Sequence, residues 1–111
     1  MQPRLKSGLW VRALIRLYDG QAIPATVVRK GDEDAGAILV KVNRRERGCI
    51  VLNRVPDLAG DLVWQRGTGA EPVDEATADA YIVRQAGRDP DLWVVEIEAG
   101  AGAITLDGTV V

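Results

Sequence analysis

Residues 35–42, AGAILVKV, form the longest strand-like apolar run in the chain, and turn-forming sequence bounds them on both sides. Gly31-Asp32-Glu33-Asp34 precedes the run and Asn43-Arg44-Arg45-Glu46-Arg47-Gly48 follows it. A second β-branched run lies beyond each turn, over residues 25–30 and 49–55. Short loops between such runs imply antiparallel neighbours, so residues 35–42 are expected to be the middle strand of a three-strand meander. Strand periodicity puts Ile38, Val40 and Val42 on one face and Ala37, Leu39 and Lys41 on the other. The lysine marks the second face as the wetter one.

Residues 5–19 read as a helix. Leu9, Val11, Ala13, Leu14, Ile15, Leu17 and Tyr18 make its apolar surface dense, and Arg12, Arg16 and Asp19 recur at i, i+4 and i+7 as one narrow polar stripe. Ser7 suits the N-cap and Gly20 the left-handed position after the helix. The apolar surface is wider than one sheet face needs, so its excess is expected to be buried or to face another subunit. Pro24 opens the next strand, where its missing N–H does least harm. Residues 62–66 read as a fourth strand containing Trp64. Residues 74–86 read as a second helix with Asp74 as N-cap and Gly87 as the residue that ends it. Residues 92–98, LWVVEIE, are a strong fifth strand with Glu96 and Glu98 on one face.

These elements predict an α+β fold: a mostly antiparallel sheet of about five strands with two helices packed mainly on one face. Residues 1–99 form a single domain, and residues 100–111 form a Gly/Ala-rich tail whose Asp107-Gly108 pair suits a short hairpin. The chain has no Phe, so three Trp and two Tyr supply all the aromatic bulk of an otherwise aliphatic core.

Three segments together resemble a family of small uncharacterised alphaproteobacterial proteins, classed as a domain of unknown function. They are RLKSGLWVRALIR (residues 4–16), IPATVVRKGDEDAGAILVKVNR (23–44) and EPVDEATADAYIVRQAGRDPDLWVVEIE (71–98). Residues 49–69 and the tail after Glu98 match less well. The resemblance implies a bacterial cytoplasmic source and brings no catalytic residues with it.

The absent residue types narrow the chemistry. There is no His, which removes the usual general base and the commonest transition-metal ligand. The single Cys cannot make an intramolecular disulfide or a zinc site, and it fits a reducing cytoplasm. The glycine spacings match neither a P-loop nor a dinucleotide fingerprint. Asp32, Glu33 and Asp34 lack the spacing of a calcium loop and read as a charged turn. Cys49 reads as a small core residue. Arg12 and Arg16 interrupt the apolar N-terminal stretch, so it is neither a signal peptide nor a membrane span. No catalytic, cofactor-binding or metal residues are expected.

What remains is surface. Lys41, Arg44, Arg45, Arg47 and Arg54, with Trp10 and Trp64, form the candidate interaction surface. The leading expectation is a non-catalytic module that binds a protein partner or pairs as a homodimer. Nucleic-acid binding through the basic turn 43–48 is the alternative, disfavoured by a formal net charge of -2. A small enzyme working with carboxylates and arginines alone comes last.

Overall fold

The computed structural model describes residues 5–111. Arg4, which opens the first of the three resembling segments, lies outside the described residues. The elements follow as α1 (Ser7–Asp19), β1 (Ala25–Arg29), β2 (Ile38–Asn43), β3 (Cys49–Pro56), β4 (Leu62–Arg66), α2 (Glu75–Arg88) and β5 (Trp93–Glu98). A short 3-10 turn, Arg45–Arg47, joins β2 to β3. The five strands form one sheet in the order β1-β5-β2-β3-β4. It is antiparallel except where β2 and β5 run side by side in parallel, with Val40 opposite Val95. The α+β class and the mostly antiparallel five-strand sheet are as the sequence predicts.

Two placements differ from expectation. β5 inserts between β1 and β2, so the β2–β3 half of the expected meander forms, with β4 added beyond it, and the β1–β2 half does not. The reason lies in burial. Trp93, Val94, Val95 and Ile97 are buried on both faces of β5, whereas β1 is largely exposed. The strand that is apolar on both sides takes the centre, and the half-wet strand takes the edge. Residues 30–37 are long enough to step over the roughly 10 Å that one intervening strand adds.

The helices also lie on opposite faces of the sheet rather than mainly on one. α1 buries Trp10, Val11, Leu14 and Tyr18 against Ile38, Val40, Val42, Leu52, Val95 and Ile97. α2 buries Ala78 and Ile82 against Leu39, Cys49, Val51, Leu92 and Val94. Both parities of β2 are therefore covered, and the face carrying Lys41 is not the wet one. Each fully buried aliphatic side chain in these layers contributes about 1.5–3 kcal/mol.

The helix ends show what positions them. Asp74 caps α2, accepting the Thr77 N–H at 2.8 Å, and this hydrogen bond holds its carboxyl below the usual range. α1 has no side-chain cap. Ser7 lies inside the first turn, where its N–H donates to the Asp34 carbonyl at 3.3 Å, and the Gly8 N–H donates to the Glu33 carbonyl at 2.9 Å. Gly20 stays right-handed at φ -63°, and α2 runs through Gly87 to Arg88.

The tail follows the α1 face of the sheet. The Tyr18 hydroxyl donates to the Thr105 carbonyl at 2.8 Å and accepts the Thr105 N–H at 3.1 Å. Trp64 Nε1 donates to the Asp107 carbonyl at 2.7 Å, and Trp10 Nε1 to the Asp107 carboxylate at 3.3 Å. Beyond the bend at Gly108, Val110 pairs in parallel with Trp64 of β4. The polar atoms of three buried aromatics thus find their partners in two tail residues, as buried donors require.

Candidate interaction surface

The turn at residues 33–34 receives the first N–H groups of α1, and its side chains brace the same helix. Glu33 pairs with Arg12 across the Cα of Gly8, a position where any Cβ would collide with the Glu33 carboxylate. The Arg12 hydrogen bond holds the Glu33 carboxyl below its usual range. Lys6 approaches Asp34 at 3.5 Å, both well exposed. The helix is thereby fixed with Leu9, Ala13 and Leu17 at i, i+4 and i+8 on its outer side. Leu9 is 49% exposed and Leu17 52%. Val27, opposite Val95 and so on the α1 face, extends the apolar surface onto the β1 edge.

The structure does not gather the seven residues singled out from sequence into one patch. Lys41 is buried at 3% exposure. Trp10 and Trp64 are core, with ring centroids 5.6 Å apart. Arg54 lies with its guanidinium 4.8 Å from the Trp10 ring centre and donates to Asp107 at 3.0 Å. Arg44 donates to the Gly100 and Gly102 carbonyls at 3.2 and 2.8 Å. Arg45 and Arg47 are exposed, on either side of Glu46. The indoles are therefore not presented beside the basic turn, where base stacking would need them.

Lys41 instead centres an ionic cluster between β2 and α2. Its Nζ donates to Glu75 at 2.7 Å and Asp79 at 2.8 Å, with Glu96 at 3.6 Å. Asn43 Nδ2 links Glu75 and Glu96, donating to each at 3.1 Å. Burial works against the ammonium, but the bonds to Asp79 and Glu75 and the charge of Glu96 outweigh it, so the pKa of Lys41 is raised. A lysine held this firmly protonated is neither a base nor a nucleophile at neutral pH. Burial likewise raises the pKa of Cys49, which keeps its thiol unreactive. No group of metal-ligating side chains occurs among the described residues. No helix among them is long and apolar enough to cross a membrane. In sequence Glu75 and Asp79 read only as acidic residues near the N-terminus of α2 that match its dipole, although their spacing of four on one helix face signals a shared target.

A family model described as "Protein of unknown function (DUF1491)" matches residues 5–107. The chain belongs to the DUF1491 family. The match takes in the three resembling segments from Leu5 onward, and also residues 49–69 and most of the tail. Solved structures agree. A crystal structure of a DUF1491 family protein from Caulobacter crescentus is 40% identical with a TM-score of 0.86, covering 97% of this chain and 100% of that one. An NMR structure of a DUF1491 family protein from the same organism is 40% identical with a TM-score of 0.85, covering 99% of each chain. A solution structure of a protein from A. tumefaciens is 28% identical with a TM-score of 0.73, over 94% of this chain and 90% of that one. No curated protein matches the chain. Membership of DUF1491 brings a fold and no assigned activity.

Proposed function

We propose that this DUF1491 protein is a non-catalytic, self-associating interaction module that pairs with a second copy through the outer face of α1. The observation that carries this reading is the exposed row Leu9–Ala13–Leu17. A row with a small residue at its centre is self-complementary. In an antiparallel pair related by a two-fold axis at Ala13, Leu9 of each copy meets Leu17 of the other. The alanines let the axes approach to the roughly 8–10 Å of ordinary helix packing.

The β1 edge is the weaker alternative. Pro24 precedes it, a bulge interrupts its pairing between Val27 and Arg29, and Arg29 and Lys30 follow. These are the devices that keep edge strands from pairing.

Sedimentation at micromolar concentrations tests the reading. The wild type is expected to sediment as a species of twice the 12.0 kDa monomer. Leu9→Glu with Leu17→Glu is expected to give a monomer with unchanged circular dichroism, because both side chains face outward. A wild type that stays monomeric throughout overturns the proposal.

A further inference from the structure

Between the sheet and the tail lies an apolar slot of about 160 Å³. Val42, Ile50 and Leu52 form its floor, on the α1 face, and Ile104, Leu106 and Val110 form its other wall. Two guanidiniums, Arg44 and Arg66, complete the lining, and no carboxylate side chain joins them.

Strand register explains the arrangement. Val95, Val40 and Leu52 stand opposite one another across β5, β2 and β3, and the next partner in the row is Arg66 on β4. An apolar row thus ends in a cation. Arg66 donates its backbone N–H to Val111, and its side chain makes no hydrogen bond or ion pair among the described residues. Arg44 is different: its bonds to the Gly100 and Gly102 carbonyls fix it in place and leave other guanidinium N–H groups unused.

We propose that this slot binds a small carboxylate bearing a short aliphatic chain. The hydrocarbon lies between Ile50, Leu52, Ile104 and Leu106, and the carboxylate meets Arg66. Size and charge both select this class. An apolar cavity of roughly 150 Å³ is enough for a six-carbon ring, which bounds the chain at about six carbons. A guanidinium fork matches a carboxylate geometrically and repels a cation. A polar ligand without a hydrocarbon part leaves the apolar walls unused. Such a carboxylate has two sources, a free short-chain acid or the C-terminal leucine of a peptide.

The test is a titration of the full chain followed by ¹H–¹⁵N NMR, with hexanoate and N-acetyl-leucine as the two probes and hexanol as the uncharged control. Saturable shifts clustered on β3, β4 and residues 104–110 are expected with a carboxylate probe, and hexanol should bind about tenfold more weakly or worse. Arg66→Gln should weaken carboxylate binding about tenfold without altering the rest of the spectrum. Tighter binding of hexanoate assigns the free acid, and tighter binding of N-acetyl-leucine assigns the peptide terminus. Scattered or non-saturating shifts, hexanol binding equal to hexanoate, or undiminished binding by the Arg66 variant overturns the proposal. Leu9→Glu with Leu17→Glu leaves the slot intact, so this proposal and the α1 pairing fail independently.

Discussion

Lys41 Nζ and Asp79 Oδ1 stand 2.8 Å apart between β2 and α2, and Glu75, one turn earlier on the helix, takes a second bond from the same nitrogen at 2.7 Å. Only Ala78 and Ile82 of α2 are buried. The lysine therefore supplies an attachment that the helix's own small apolar face does not.

Lys41→Met keeps the aliphatic stem and leaves three carboxylates without their cation. Removing one partner of a fully buried pair costs roughly 3–5 kcal/mol. Here Glu75 and Asp79 are more than half exposed, so solvent screens them and a loss of about 2 kcal/mol at pH 7 is expected in urea denaturation. The pH dependence has a definite sign. Because the folded-state pKa is raised, the contribution of Lys41 is complete below the unfolded value of about 10.4 and is lost as pH rises toward the folded one. Tyr18 and Cys49, also raised by burial, lose stability over alkaline pH in both proteins. The gap between wild type and Lys41→Met is therefore expected to close above pH ~10.4.

A chain ending at residue 103 tests the tail. It lacks Ile104 and Leu106 and leaves the polar atoms of Tyr18, Trp10 and Trp64 without their tail partners. Lost burial and unpaired donors together predict destabilisation on the order of 3 kcal/mol. Tryptophan emission should shift to the red as Trp64, fully buried in the intact chain, meets water.

Gly87 offers an opposite result. It lies inside α2, and a Cβ there meets open space. Gly87→Ala should stabilise the protein by about 0.5 kcal/mol, a rise of roughly 2–4 °C in Tm. Gly36→Ala is the contrast. Its Cβ would meet the Asp91 carbonyl and the Asp32 backbone, which cannot move aside as a flexible side chain can, and a loss of about 1–3 kcal/mol is expected.

What the sequence displays is local. The Asp74 cap sits three residues before the Thr77 N–H that donates to it, and the β2–β3 hairpin is bounded by visible turns. Lys41 shows nothing of its environment, because its partners lie 34 and 38 residues away on a helix. Trp10 looked like surface for the same reason: the acceptor for its indole is 97 residues distant. The position of β5 is partly legible in sequence. LWVV is apolar at consecutive positions, which signals burial on two faces, and only the short loops around residues 35–42 argued for a different neighbour. The apolar width of α1 is visible in sequence because a helix displays its own periodicity, and Leu9 and Leu17 stand exposed on its outer side. Arg66 is silent in the sequence because its place at the end of the Val95–Val40–Leu52 row exists only once four strands are in register.

The central position of β5 also governs when the molecule can fold. During synthesis, β1 and β2 leave the ribosome first, yet neither can pair with the other, since the strand that joins them is the last of the five to be made. The hairpin of β2 and β3 can form early, but β1 must wait with its backbone unpaired until residues 93–98 arrive. Folding is thus set by long-range closure near the end of translation, a high-contact-order route that is intrinsically slow. The nascent chain is most vulnerable to aggregation in the interval before β5 docks.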